Sequence, residues 1–332
     1  MKPGLISIES LLNRIAAARR VLITTHARAD GDALACVATM QRVLRQQGKS
    51  ADGYLHEPIG ERYQFVESIE RLNVWQPSSA AAVLADHDLL IVVDTCATVQ
   101  LGEVAAAIKA ASIVKLGIDH HITRDDIVDE VFVDESAGAC AQLVLRLCEH
   151  ARWPIDADAA TLLFSGLATD TGWFRFSNAD AVVFADAASL IRVGARPNEL
   201  YERLFLCEVL PRIRLMGEVM SSFELLADGR LAIIRITRDM LKRCGASTQM
   251  TEDIINEPQR LGTVVACAMI IEPEPGGPVR VSMRSKRDID VARLAAAWGG
   301  GGHARAAGAK ISGDFTATAK MVTDALLKAM EG

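Results

Sequence analysis

The chain has no excess of positive charge: 36 Lys and Arg against 42 Asp and Glu leave a formal net charge of −6 over 332 residues. A protein that coats long nucleic acid needs a strong basic field, so a long duplex is not the expected partner. A short nucleotide held in a local basic pocket stays open. None of the seven cysteines (Cys36, Cys96, Cys140, Cys148, Cys207, Cys244, Cys267) forms a C-x-x-C pair. That argues against a secreted disulfide framework and leaves them as reduced core residues. No uncharged apolar run reaches the ~18–20 residues that a membrane span needs. The first segment, Ile6 to Arg20, is amphipathic without a signal-peptide layout, so a cytoplasmic location is expected. Internal repeats and low-complexity tracts are also absent. The composition itself, 50% hydrophobic and 23% charged, is that of a globular protein with a real core and length enough for two domains.

Helical spacing over residues 8–19 is followed by an apolar run, Val21-Leu22-Ile23, and a second helix from Gly31 to Gln47. Leu89 to Val93 and Ile113 to Ile118 are short apolar runs of the kind buried on both faces of a parallel sheet, with a helical crossover, Val99 to Ala111, between them. Alternating strands and helices predict an α/β fold with a doubly wound, mainly parallel sheet. Helices are expected at 138–150, 157–169, 180–194 and through 195–220. Strands at 222–227, 231–237, 264–272 and 279–284, a turn at 273–278, a helix at 289–298, a strand at 309–312 and a final helix at 315–330 read as a smaller α+β domain. The expected division is 1–190, a helical linker at 191–218, and 219–332.

Each of the first-half apolar runs ends in metal-ligand residue types. His26-Ala27-Arg28-Ala29-Asp30-Gly31-Asp32 follows the first, Asp94 the second, and Asp119-His120-His121 the third. Ligands of a parallel sheet bind beyond the carboxyl ends of its strands, so the three segments are expected to build one site. Gly31 allows a tight turn that aims Asp30 and Asp32 into one crevice. Carboxylates that crowd within a few Å repel, and a pair of divalent cations between them removes the conflict. Taken singly, a strand-end Asp serves as a helix cap as readily as a ligand, and an isolated His pair is ordinarily surface or core. His56, His87 and His150 lack such context and read as ordinary.

The combination of His26, Asp30, Gly31 and Asp32, the isolated Asp94, the Asp119-His120-His121 triplet and the Asp170 segment resembles the DHH phosphoesterase family, in the family's order and over nearly the whole chain. The resemblance implies that His26, Asp30 and Asp94 hold one metal ion. It implies that Asp32, Asp94, His120 and Asp170 hold a second, so that Asp94 bridges. Asp94, His120 and His121 are the implied catalytic residues, with His121 positioning the phosphate or protonating the leaving oxygen. Two divalent ions are implied, manganese first, with magnesium or cobalt as alternatives, and water activated by them attacks phosphorus. One departure stands out. Members often carry Ser/Thr and Glu in the helix after the triplet, where this chain reads Ala139-Cys140-Ala141-Gln142.

In the second half, Gly299 to Gly302 and His303 form a glycine-rich segment whose bare backbone amides could approach an anion. On glycine count alone a linker or helix cap explains it equally well. With His303, and with Val281-Ser282-Met283-Arg284-Ser285, it resembles the DHHA1 domain that often follows a DHH domain. The resemblance implies substrate binding by Arg284, Ser285, Gly300, Gly301, Gly302 and His303, with the active site in the cleft between the domains. It also places the chain with the compact branch of short-RNA exonucleases and 3′-phosphoadenosine 5′-phosphate phosphatases. Short RNA oligonucleotides or phosphorylated adenosine nucleotides are the expected substrates. Cyclic dinucleotides or other small phosphoesters and polyphosphates, and a non-catalytic nucleotide sensor, are the alternatives. No membrane partner is expected; some related proteins form dimers, and the sequence leaves a homodimer open. Trp173, Phe174 and Phe176 follow Asp170 closely, and either core packing or base stacking would use them.

Overall fold

The computed structural model describes residues 3–286 and 289–331, with all side chains there except those of His303 and Glu331. It folds as two compact units that divide between Cys207 and Glu208, inside the 191–218 segment expected to join the halves.

The first unit runs β1 (Gly4–Leu5), α1 (Ile8–Ala17), β2 (Arg20–Thr24), α2 (Gly31–Gln46), β3 (Ser50–Leu55), α3 (Gln64–Ile69), β4 (Asn73–Val74), α4 (Ala80–Ala85), β5 (Leu89–Val93), α5 (Ala105–Ala110), β6 (Val114–Asp119), β7 (Glu130–Val133), α6 (Cys140–Ala151), α7 (Ala157–Asp170), α8 (Ala181–Val193) and α9 (Pro197–Phe205). Its seven strands lie in the order β1-β7-β6-β5-β2-β3-β4, every neighbouring pair parallel. Successive side chains of a strand point to opposite faces, and β5 shows the result. Leu89, Ile91 and Val93 pack with α1, α2, α6 and α7 on one face, while Leu90 and Val92 pack with α4 and α5 on the other. A strand covered on both sides is mainly apolar, which is why β5 reads as an unbroken hydrophobic run, β2 as a shorter one, and β6 as one interrupted by Lys115 and Gly117. The order turns back on itself between β2 and β5, so the crevice of the doubly wound sheet opens at the ends of these two strands. The crossover expected over 99–111 is not one helix. A 3-10 stretch, Thr98–Val104, is broken at Gly102, whose φ is +52°, and α5 follows from Ala105.

The second unit comprises α10 (Leu210–Ser222), β8 (Glu224–Leu226), β9 (Leu231–Ile236), α11 (Arg238–Cys244), β10 (Ala266–Ile271), β11 (Val279–Ser285), α12 (Val291–Ala296), β12 (Gly301–His303), β13 (Ala306–Ile311) and α13 (Phe315–Glu331). Its mixed sheet has the order β12-β13-β11-β10-β9-β8. Leu215 and Val219 of α10 are buried with α11 against one face, and α12 and α13 cover the other. The helical pattern expected through 195–220 is therefore two helices, α9 and α10, separated at 206–209. Among the described residues no helix is long and apolar enough to cross a membrane.

Candidate metal centre

Strand ends and helix ends of the first unit bring the expected ligands together. His26 lies two residues beyond β2, Asp94 directly after β5, and His120 directly after β6. Asp30 caps α2, and Asp170 is the last residue of α7. Ligand atoms of His26, Asp30 and Asp94 lie within 4.8 Å of one another, as do those of Asp32, His120 and Asp170, and those of Asp94, His120 and His121. Asp94 stands between the two halves of the cluster. One carboxylate oxygen is 3.5 Å from His26 Nε2 and the other 3.4 Å from His120 Nε2, which is itself 3.7 Å from Asp170 Oδ2.

Local structure explains how each side chain is presented. Asp30 caps and faces the cluster at once: Oδ1 accepts from the backbone N–H of Asp32 and Ala33, 3.1 Å each, and Oδ2 is left free for another partner. Asp94 does not act as a helix cap. Its φ is +60°, a left-handed conformation that Asp tolerates better than most residues but that still costs free energy. Gly31 is the first residue of α2, and its φ is not in the left-handed range, so the expected turn is not its reason. A Cβ there would fall 2.4 Å from Thr169 Oγ1 on α7, so glycine permits the close approach of the two helices that carry Asp30, Asp32 and Asp170. The carboxylate of Asp32 is buried and accepts from the backbone N–H of Cys140 (2.6 Å) and Ala141 (2.9 Å), at the positive end of α6. These contacts use amides rather than side chains, so the Ala139-Cys140-Ala141 departure leaves them intact. His120 Nδ1 lies 3.1 Å from the Ala137 carbonyl, which leaves Nε2 as the ring nitrogen that faces Asp94 and Asp170.

The electrostatics of the cluster favour cations. Burial and the neighbouring Asp94 push the Asp30 carboxyl up from its ordinary range. Burial and repulsion from Asp94, Asp170 and Asp30 push Asp32 up much further. Asp170, raised chiefly by burial and held back by His120, reaches about 6. Burial opposes a charge on His120, but Asp94, the Ala137 carbonyl and Asp32 outweigh it and lift the imidazole to about 10. Asp94 goes the other way, because the imidazoles of His120 and His26 more than offset its burial. Asp94 Oδ1 is nonetheless buried with no hydrogen-bond partner. A buried carboxylate oxygen without a hydrogen bond, among three carboxylates held above their ordinary pKa, is a donor set that fits divalent cations. Among the described residues no thiolate joins these groups, so the donors are carboxylate oxygen and imidazole nitrogen.

Three supporting groups were given no role from the sequence, although Asp119 stands in the triplet. Asp119 is fully buried, and its Oδ1 accepts from both the backbone N–H (3.1 Å) and Nδ1 (2.8 Å) of His121, fixing the ring. His56, read as ordinary, follows β3, and its Nε2 lies 2.9 Å from the Thr25 carbonyl, next to His26. Burial lowers its pKa, and nearby His26 adds to the effect against the Thr25 carbonyl. The Gln100 carbonyl accepts from Ala27 N–H at 2.7 Å and ties down the loop between His26 and Asp30.

In the second unit, Arg284 lies near the end of β11, half-buried, with one Nη1 bond of 3.1 Å to its neighbour's carbonyl. The Ser285 hydroxyl is directed to the carbonyls of Ile289 and Ala304 and braces the loop between them. The glycine segment is only in part a loop: Gly301, Gly302 and His303 form β12, paired with β13. A Cβ at Gly300 would fall 2.2 Å from the Gly308 carbonyl, and Gly302 has a φ of +138°. Close strand approach thus accounts for these glycines independently of any anion. The His303 side chain lies outside the described residues.

Known proteins resemble the chain along most of its length. The model of the DHH family N-terminal domain matches residues 20–167, and that of the DHHA1 domain matches residues 242–331. The bifunctional oligoribonuclease and PAP phosphatase NrnA of Thermus thermophilus is 28% identical over 300 residues, covering 88% of this chain and 84% of that protein. Its Bacillus subtilis namesake is 25% identical, covering 94% and 93%. Among solved structures, an exopolyphosphatase-related protein from Bacteroides fragilis superposes with a TM-score of 0.91 at 22% identity, over 97% of this chain and 95% of that one. RecJ from Thermus thermophilus in complex with Mn2+ shares the fold with a TM-score of 0.55 at 14% identity, over 98% of this chain and 54% of that one. With both domain models matched in order, the chain belongs to the DHH/DHHA1 phosphoesterase family.

Proposed function

We propose that the protein is a two-metal phosphoesterase that hydrolyses short oligoribonucleotides, linear dinucleotides among them, and 3′-phosphoadenosine 5′-phosphate. The chemistry rests on one observation: Asp94, buried and with one oxygen that accepts no hydrogen bond, belongs to ligand groups on both sides of the cluster. The choice of substrate rests on similarity along about nine tenths of the chain to relatives named as oligoribonucleases and PAP phosphatases. His26, Asp30 and Asp94 would hold one divalent ion and Asp32, Asp94, His120 and Asp170 the other, manganese being preferred. When bound, such a pair lowers the pKa of water and neutralises charge on the phosphoryl oxygens.

The remaining tasks fall to the chain. With Nδ1–H directed to Asp119, the half-exposed His121 presents Nε2 outward. The Asp119 contact is the largest influence on this imidazole and raises its pKa against burial. Nε2–H would bind a phosphoryl oxygen or give its proton to the leaving oxygen as the P–O bond breaks and water adds to phosphorus. Arg284 would fork onto a phosphate or the 5′ end of the substrate, and Gly300, Gly301, Gly302, His303 and Ser285 would complete that grip. The buried, carbonyl-directed hydroxyl of Ser285 suits it to shaping the loop around the phosphate.

A manganese-supplemented panel tests the proposal. Di- to pentaribonucleotides should release mononucleotides, and 3′-phosphoadenosine 5′-phosphate should release inorganic phosphate. Release of nothing from either class would refute it. Turnover confined to cyclic dinucleotides or polyphosphate would select the alternative substrates, and tight nucleotide binding without turnover would make the protein a sensor.

A further inference from the structure

The segment after Asp170 carries three aromatic residues, and the structure gives them different environments. Trp173 makes edge contacts with Phe164, Phe174, Tyr201 and Phe205, and Phe174 packs on Phe164 and Phe184. Both belong to the core margin of the first unit. Phe176 has no aromatic neighbour among the described residues and is 57% exposed. Exposed apolar side chains scattered singly are normal and need no explanation by themselves. What distinguishes this one is how firmly it is held, and where.

Gly172, Trp173 and Phe174 all take left-handed backbone conformations, with φ of +57°, +58° and +61°. This run turns the chain back on the end of α7. The backbone N–H groups of Arg175 and Phe176 both donate to the Thr171 carbonyl, at 3.0 and 3.1 Å. Arg175 Nε donates to the Gly172 carbonyl at 2.7 Å, and Asn178 Nδ2 reaches back to the carbonyls of Gly138 (2.9 Å) and Asp170 (3.3 Å). The ring of Phe176 is pressed onto Gly172: a Cβ on that residue would lie 2.4 Å from ring atoms Cε2 and Cζ. Gly172 is two residues from Asp170, so their Cα atoms are at most about 7 Å apart. An ordered, solvent-facing ring is therefore anchored beside a residue of the metal cluster, on strained backbone of the kind that collects at functional sites.

We propose that Phe176 is the specificity-determining residue that stacks a nucleobase of the substrate next to the metal centre. The inference rests on the functional reading above, since only a nucleotide brings a flat base to this ring. Stacking is sequence-tolerant, because every base has a π-face. Phe176 therefore discriminates nucleotides from base-free phosphoesters and leaves the identity of the base open. Trp173 and Phe174, packed from several sides, set the turn that presents it.

The test is calorimetric binding, in the presence of manganese, of adenosine 5′-monophosphate and of ribose 5-phosphate to the full-length protein. Wild type should prefer the nucleotide. Phe176→Ala should weaken its binding on the order of 10-fold. Phe176→Leu, which keeps an apolar side chain over Gly172 without a π-face, should lose a similar factor, and Phe176→Tyr should retain affinity. All three should bind manganese and ribose 5-phosphate as wild type does. Equal affinity of wild type for the two probes, or unchanged nucleotide affinity in both the Ala and Leu variants, overturns the proposal. So does parallel loss of ribose 5-phosphate and manganese binding, which would make the ring a packing element. The functional reading fails separately: wild type would then prefer the nucleotide through Phe176 yet hydrolyse neither short RNA nor 3′-phosphoadenosine 5′-phosphate.

Discussion

Replacing Asp94 separates the cost of its backbone from the work of its carboxylate. The residue sits at φ +60°, directly after β5, and is 3% exposed. Asn occupies left-handed space nearly as well as Asp, because a short polar side chain can hydrogen-bond locally there, whereas alanine lacks that compensation and the conformation costs it about 1–2 kcal/mol. In the metal-free protein Asp94→Ala should therefore melt below Asp94→Asn by roughly 2–8 °C, taking ~2–4 °C per kcal/mol for a unit of this size. The carboxylate makes a different prediction. Asp94 shares ligand groups with His26 and Asp30 and with His120, so either substitution should impair both ion sites. Manganese at a hundredfold excess over its dissociation constant should stabilise wild type by about 2.7 kcal/mol, and both variants should lose most of that. If the ions supply ~4 kcal/mol of transition-state stabilisation, kcat/KM on a diribonucleotide should fall on the order of a thousandfold in each. The assays are thermal melts with and without manganese, metal stoichiometry by calorimetry, and initial rates. A wild-type manganese shift together with retained turnover in Asp94→Asn would refute the shared-ligand reasoning. Equal melting of the two metal-free variants would refute the strain argument alone.

Asp119→Asn should leave manganese stoichiometry unchanged, since Asp119 belongs to none of the ligand groups, but should lower kcat by freeing His121; unchanged kcat in initial-rate assays would remove Asp119 from the catalytic picture. Gly31→Ala forces a methyl group against Thr169 and should destabilise the protein by about 1–3 kcal/mol in urea titrations, with weaker manganese binding as α2 and α7 separate. The acid limb of stability should depend on Arg42, which pairs with Asp156 at 2.8 Å. Burial raises the Asp156 carboxyl, but Arg42 and the Ala159 amide outweigh it and leave the pKa below the ordinary value. A depressed folded-state pKa contributes stability that is present above the unfolded value and lost as pH falls through the folded one. Arg42→Ala should accordingly shrink the drop in urea midpoint between pH 7 and the acid side of the carboxylate range, and an unchanged drop would contradict the assignment.

The candidate ligands were legible in the sequence and most of the groups that support them were not, for a physical reason. β2, β5 and β6 are buried on both faces, so they read as mainly apolar runs rich in Val and Ile, and the polar residues that end them stand out. β3 escaped notice because Ser50-Ala51-Asp52-Gly53-Tyr54-Leu55 carries Asp and Gly and no β-branched residue. Without β3 there was no strand end on which to place His56. Gly31 was visible, but the turn was the wrong explanation, because the Thr169 side chain that requires it lies far away in the chain on α7. The glycines at 300 and 302 repeat the point, since what they accommodate is strand pairing with β13. Most telling is Asp32. Its partners are the amides of Cys140 and Ala141, and every non-proline residue supplies such an amide. No choice of side chain at 140 and 141 announces this contact, and the loss of Ser, Thr or Glu there does not remove it. What positions the most deeply buried carboxylate of the cluster is the placement of the first turn of α6, a property of the fold that only the assembled backbone displays.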